Sequence, residues 1–213
     1  MDGSLLDTKV DYVKMSQLVY DVFEEMGMPE EVMNRSEGYK FNIDRGYDWL
    51  AQHGRYDDLY SIQAKVCDGS KRVEMETVDQ ARAFPGAIEL LRDLRARGYK
   101  TGVLTRGSRE YAETALGISK VTDLLDAVVA RDDYPESEAK PSPIAMQHMA
   151  SKLNVTPQEI LYLGDHRFDY ECARSSGAGF IGLRSGTYSD DDWHTLDSDL
   201  TVFDTVAGLG DIL

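Results

Sequence analysis

Residues 160–173 read ILYLGDHRFDYECA: an apolar run, an abrupt Gly164-Asp165, and a second acid, Asp169, four residues later. The run is too short for a buried helix and is bounded by glycine, so it reads as a buried strand that ends in a tight turn and a helix start. Positions four apart on a helix share a face, so this spacing predicts that Asp165 and Asp169 point the same way. Two carboxylates at the carboxyl end of a strand suit a hard cation such as Mg²⁺, which takes oxygen ligands and keeps several waters. Helix N-capping accounts for one aspartate equally well. The strand end is also where open α/β sheets bind ligands.

The remainder of the chain after 84 has the alternating texture that a parallel sheet requires. Ala87, Leu90, Leu91 and Leu94 mark one helix face, with Gly98 at its end. Residues 101–104 form a short apolar strand that stops at Thr105-Arg106-Gly107-Ser108, and a helix follows to about Leu116 with Gly117 at its end. A hydroxyl beside the free N–H groups of a turn entering a helix makes a phosphate cradle. A further strand spans 126–130, a polar loop 131–139, and Lys140-Pro141-Ser142-Pro143 opens a helix over 144–153. Strands at 180–183 and 200–203 complete the sheet, Gly177 ends the helix that carries Asp169, and 189–192 reads as an acidic surface loop.

Residues 9–79 have helical periodicity instead. Met15, Leu18, Val19, Val22, Phe23 and Met26 lie on one face, Gly27 closes that helix, and further helices are expected over 29–40, 44–53 and 57–67. Trp49 and His53 are candidates for lining a pocket, although single residues of these types are more often structural.

Composition excludes several function classes. The formal net charge of −15 disfavours nucleic acid and anionic membrane as partners, and a phosphate-bearing ligand would need a local cation. No apolar run approaches the roughly 20 residues of a membrane span. Cys67 and Cys172 have no metal-ligand spacing, and the first residues have no basic-then-apolar pattern. A cytoplasmic setting is therefore expected.

The opening MDGSLLDT resembles the later part of the first motif, Asp-x-Asp-Gly-Thr/Ser, of the haloacid dehalogenase superfamily of phosphohydrolases. Thr105 matches that family's second motif, Lys140 with its Pro-x-Pro the third, and Gly164-Asp165…Asp169 the fourth, all in family order. The resemblance covers the whole chain and implies an α/β fold with a Rossmann-like parallel sheet flanked by helices. Residues 1–8 and 80–213 would be the core and 9–79 an inserted helical cap. It also implies an aspartyl-phosphate mechanism with Mg²⁺. Asp2 would be the general acid and base, its backbone carbonyl reaching the metal. Asp165 would ligate the metal and Asp169 would orient its water. Thr105, the Arg106 N–H and Lys140 would hold the phosphoryl group. In this pattern Met1 occupies the variable position, so the nucleophilic aspartate and its strand would precede it, and a truncated first strand is expected. Asp2 argues against dehalogenase chemistry, because the dehalogenase branch lacks a carboxylate there. The implied ligand is a small phosphorylated metabolite, as in phosphoglycolate-phosphatase-like and phosphoglucomutase-like members. A mutase, or a non-catalytic binding protein lacking the nucleophile, stays open as an alternative.

Overall fold

Alternation along the strands explains why their sequences are apolar throughout. In the computed structural model, which describes residues 1–211, β5 (Leu161–Gly164) runs parallel to β6 (Gly179–Leu183), and β6 runs parallel to β7 (Val202–Phe203). Successive side chains point to opposite faces. Tyr162 and Phe180 pack on the cluster of Leu104, Val129, Met146, Met149 and Cys172, whereas Leu163 and Ile181 pack with Leu90, Leu94 and Leu209. Both faces are covered, so neither can be polar.

The other parallel pair is β3 (Gly102–Leu104) with β4 (Ala127–Val129). β3 and β5 each have one strand neighbour, and the two sheets are separate. β1 (Leu6–Asp7) is only two residues long and pairs antiparallel with β2 (Arg82–Ala83). The flanking helices are α4 (Ala87–Ala96), α5 (Arg109–Ile118), α6 (Pro143–Leu153), α7 (Arg167–Ser176) and α8 (Asp190–Leu196). The architecture is mixed α/β, with parallel sheets flanked by helices.

The chain divides into two compact units, Met1–Lys9 with Val78–Leu213, and Val10–Thr77. The second unit is helical: α1 (Tyr12–Glu25), α2 (Tyr39–Gln52) and α3 (Tyr56–Met75) enclose Val19, Phe23, Ile43, Leu50, Ile62 and Val66. Gly46 lies against the Phe23 ring and Gly69 against Leu18, where a Cβ would collide. Small residues at these crossings let the helices approach closely.

Three local expectations need correction. Residues 29–40 are not a helix: one 3₁₀ turn, Glu30–Val32, is followed by a loop. Buried Asn42 organises that loop, accepting from the Asn34 N–H (2.7 Å) and donating to the Asn34 carbonyl (2.9 Å). Such side-chain bonds replace the bonds a helix would have made. Gly117 does not end α5; the chain turns at Lys120 (φ 59°), and the Val121 N–H reaches back to the Leu116 carbonyl (3.1 Å). Burial of Leu116 and Val121 fixes the turn there rather than at the glycine.

The third concerns 189–192, which is a helix start and not a loop. Ser189 caps α8 and exchanges bonds with Asp192 (Ser189 N–H to Oδ2, 2.9 Å; Asp192 N–H to Ser189 Oγ, 3.3 Å). Three aspartates in the first turn suit the positive end of the helix dipole. Trp193, fully buried, anchors the helix through its indole N–H to the Leu183 carbonyl (3.2 Å).

Candidate active site

Gly164 is dictated by the first turn of α7. A Cβ there would collide with the Asp169 side chain, so the close approach of β5 to that turn demands glycine. His166 is the N-cap of α7: its Nδ1 accepts from the Phe168 N–H (3.2 Å), and Asp169 Oδ2 accepts from the His166 N–H (3.2 Å). Asp165 therefore precedes the helix. The helix-face argument for the pair does not apply, because four-residue periodicity holds only inside a helix.

The two carboxylates instead face different partners. Asp165 Oδ1 accepts from the Ser4 hydroxyl at 2.6 Å, which ties the fourth motif to the first across 161 residues of sequence. Asp169 Oδ1 accepts from the Lys140 ammonium (2.5 Å) and from the Tyr162 hydroxyl (2.8 Å), and that hydroxyl also accepts from Lys140 (2.9 Å). Burial pushes the Asp165 carboxyl above its ordinary value, and the neighbouring Asp169 charge pushes it further. Burial would raise Asp169 too, but Lys140 beside it and the Tyr162 hydrogen bond hold it below the usual range. Burial lowers the His166 imidazole, which favours the neutral ring.

The remaining predicted residues come from three further segments. Thr105 directly follows β3; its Oγ1 accepts from the Gly107 N–H (3.0 Å), and it lines a small cavity with Lys140, Arg131, Tyr134, Glu138 and His148. The Arg106 guanidinium donates to the Lys140 carbonyl (2.8 Å) and to Glu136 (2.7 Å). Asp2 accepts from the buried Tyr111 hydroxyl at 2.6 Å.

Sequence reasoning missed Tyr111, Tyr162, Ser185 and Gly186. Ser185 donates to the Gly3 carbonyl (2.7 Å), and a Cβ on either Gly3 or Gly186 would strike Asp165. Two backbones thus close on one carboxylate. Gly3 has φ 68°, a left-handed conformation that also favours glycine. The short Ser185-Gly186 pair gave no signal in the sequence, because its partners are about 20 and 180 residues away.

Among the described residues, no group of three His, Cys, Asp or Glu is gathered to hold a metal. The donors nevertheless fit a hard divalent ion at one place. Asp165 is a buried carboxylate whose side-chain bond is to a neutral hydroxyl, not to a cation. Mg²⁺ needs only one or two protein carboxylates, with water and substrate phosphate completing the shell. Asp169 and Asp2 are engaged by Lys140 and Tyr111 and fit a role outside the direct ligands.

The family model for haloacid dehalogenase-like hydrolases matches residues 1–183. The chain belongs to that family. Its relatives include a phosphoglycolate phosphatase of Nitrosospira multiformis, 26% identical over 95% of this chain and 88% of that protein. A validoxylamine A 7'-phosphate phosphatase of Streptomyces hygroscopicus is 36% identical over 86% of this chain and 82% of its own length. Among solved structures, a hydrolase from Pseudomonas syringae superposes with a TM-score of 0.67 at 22% identity, covering 99% of this chain and 93% of that one. A haloacid dehalogenase-like family hydrolase from Streptococcus pneumoniae gives 0.64 at 18% identity over 100% and 95%. These structures share the fold of this haloacid dehalogenase-like hydrolase.

Proposed function

We propose that this family member hydrolyses a small phosphomonoester through an aspartyl-phosphate. The observation that supports this most is the meeting of the motifs: Ser4 with Asp165, Lys140 with Asp169, and Lys140 with Thr105 around one cavity. Phosphatases among the relatives point the same way.

In the proposed reaction a carboxylate oxygen of the nucleophilic aspartate that the family's first motif implies attacks phosphorus as the ester P–O bond breaks. The electron pair stays on the leaving oxygen, which takes a proton from Asp2, held in place by Tyr111. Water then attacks the acyl phosphate, gives its proton to Asp2, and releases inorganic phosphate with the carboxylate regenerated. The Thr105 hydroxyl and the Arg106 N–H receive phosphoryl oxygens, while the Lys140 ammonium offsets their charge. Asp165 would hold Mg²⁺, with the Asp2 backbone carbonyl beside it and Asp169 orienting water; the ion supplies charge neutralisation at the phosphoryl oxygens. The helical unit Val10–Thr77 would correspond to the cap that the family inserts after its first motif.

The substrate class is the phosphoglycolate type of small phosphorylated metabolite. A panel of such esters assayed for phosphate release with and without Mg²⁺ tests the reading. Release from none of them would count against hydrolysis and favour a binding role. Transfer of the phosphoryl group to a second sugar hydroxyl, rather than to water, would favour a mutase.

A further inference from the structure

Lys140 reaches the site from a loop with little regular structure of its own. Between β4 and α6 the chain makes two short 3₁₀ turns, Arg131–Asp133 and Glu136–Glu138, and then arrives at Lys140. Three of its four acidic residues pair with a basic side chain of a neighbouring element. Asp133 pairs with Arg109 at the start of α5, and Glu138 meets His148 of α6 at 2.6 Å. Both contacts tie the loop to the helices that flank it. The third is different.

Glu136 pairs with Arg106, which directly follows Thr105 in sequence. The same guanidinium donates to the Lys140 backbone carbonyl at 2.8 Å. One planar fork therefore joins the turn that carries the site hydroxyl to the residue that carries the site ammonium. The pair is largely buried, with side-chain exposures of 11% and 14%, so solvent screens it little. Arg131 fastens the other end of the loop to the same turn, its Nη1 donating to the Arg106 carbonyl (2.9 Å) and its N–H to the Gly107 carbonyl (3.0 Å).

We propose that Arg106 is a positioning residue, whose side chain sets the separation of Thr105 and Lys140 and so matches them to one phosphoryl group. This rests on the phosphate-handling role proposed above for those two residues. An arginine is required because two acceptors of different kinds, a carboxylate and a carbonyl, must be met at once in a fixed geometry. The rigid fork of a guanidinium does this and the single ammonium of a lysine does not. The guanidinium donates to Glu136 and to the Lys140 carbonyl, and its proposed part is to place Thr105 and Lys140.

The test is calorimetric titration of inorganic phosphate, in Mg²⁺, into the parent, Arg106→Met, Arg106→Lys, Glu136→Gln and Lys140→Ala, with a melting curve for each. Phosphate affinity is expected to fall at least about tenfold in Arg106→Met and by less in Arg106→Lys. In Glu136→Gln, where an amide oxygen still accepts, it should stay within about threefold. A residue that only braces the loop would lower the melting temperature and leave phosphate affinity per folded molecule unchanged. Parent-like affinity in Arg106→Met, or in Arg106→Lys should the first not fold, overturns the inference while Lys140→Ala still weakens binding. Phosphate binding that is absent from the parent, or indifferent to Lys140→Ala, overturns the underlying reading and this inference together.

Discussion

The Lys140 ammonium lies 2.5 Å from Asp169 Oδ1, and both side chains are less than a tenth exposed. Breaking a buried pair leaves one charge without a partner, which costs about 3–5 kcal/mol. Lys140→Met is therefore expected to lower stability by that order, and Lys140→Met with Asp169→Asn to recover much of it. Chemical denaturation of the four proteins in this cycle measures the coupling. A double variant no more stable than Lys140→Met alone would show that the pair is not coupled as described.

Asp165 is expected to carry Mg²⁺ affinity. Asp165→Asn keeps the shape and an oxygen for the Ser4 hydroxyl but removes the charge, so binding should weaken at least about tenfold. Asp169→Asn should weaken it less, since that carboxylate is engaged by Lys140 and Tyr162. Titration calorimetry with Mg²⁺ separates the two, and equal affinity in Asp165→Asn and the parent would refute the assignment.

The Asp133–Arg109 pair gives a pH signature. Burial raises the Asp133 carboxyl, but hydrogen bonds from Arg109 and the Ala130 N–H outweigh it and bring the value below the ordinary 3.8. A group depressed in the folded state stabilises it fully above the ordinary value, and that contribution is lost as pH falls through the folded value. After allowance for solvent screening it is roughly 1 kcal/mol. The melting-temperature gap between the parent and Asp133→Asn should thus be constant near neutrality and narrow from about pH 4 downward. A gap that widens in acid would contradict the sign.

Gly164→Ala inserts a methyl group where the Asp169 side chain already sits. Overpacking of this kind typically costs about 1–3 kcal/mol. Because the collision displaces Asp169, phosphate affinity should fall with stability, unlike Trp193→Ala. That change removes a fully buried side chain under α8, at a cost of about 3–5 kcal/mol, and should leave phosphate affinity of the folded protein near the parent value.

Much of the fold was legible in the sequence because glycines and prolines punctuate it where the chain must turn. The strand at 160–163 lies within one residue of β5, and the helix closed by Gly27 is α1, whose following glycine takes φ 75°. The exceptions share a physical cause. Ser189 and the acids after it look like a surface loop until Trp193 is seen to bury beneath them, and within 29–40 the Asn34 N–H and carbonyl are taken by the Asn42 side chain. In the site, the family resemblance named single residues at strand ends. It did not name the partners that orient them. Tyr111 meets Asp2 across 109 residues and Ser185 meets Gly3 across 182, and a local pattern carries no record of such contacts.

The central claim is that Asp2, Thr105, Lys140 and Asp165 together turn over a phosphomonoester. Its most direct test is phosphate release from a panel of small phosphomonoesters by the purified protein beside Asp2→Asn. The account predicts release from at least one ester, abolished by a chelator and restored by Mg²⁺, and at least about 100-fold slower in Asp2→Asn, as for loss of a general acid and base. Release from no ester, or release that neither the chelator nor the substitution alters, would contradict it.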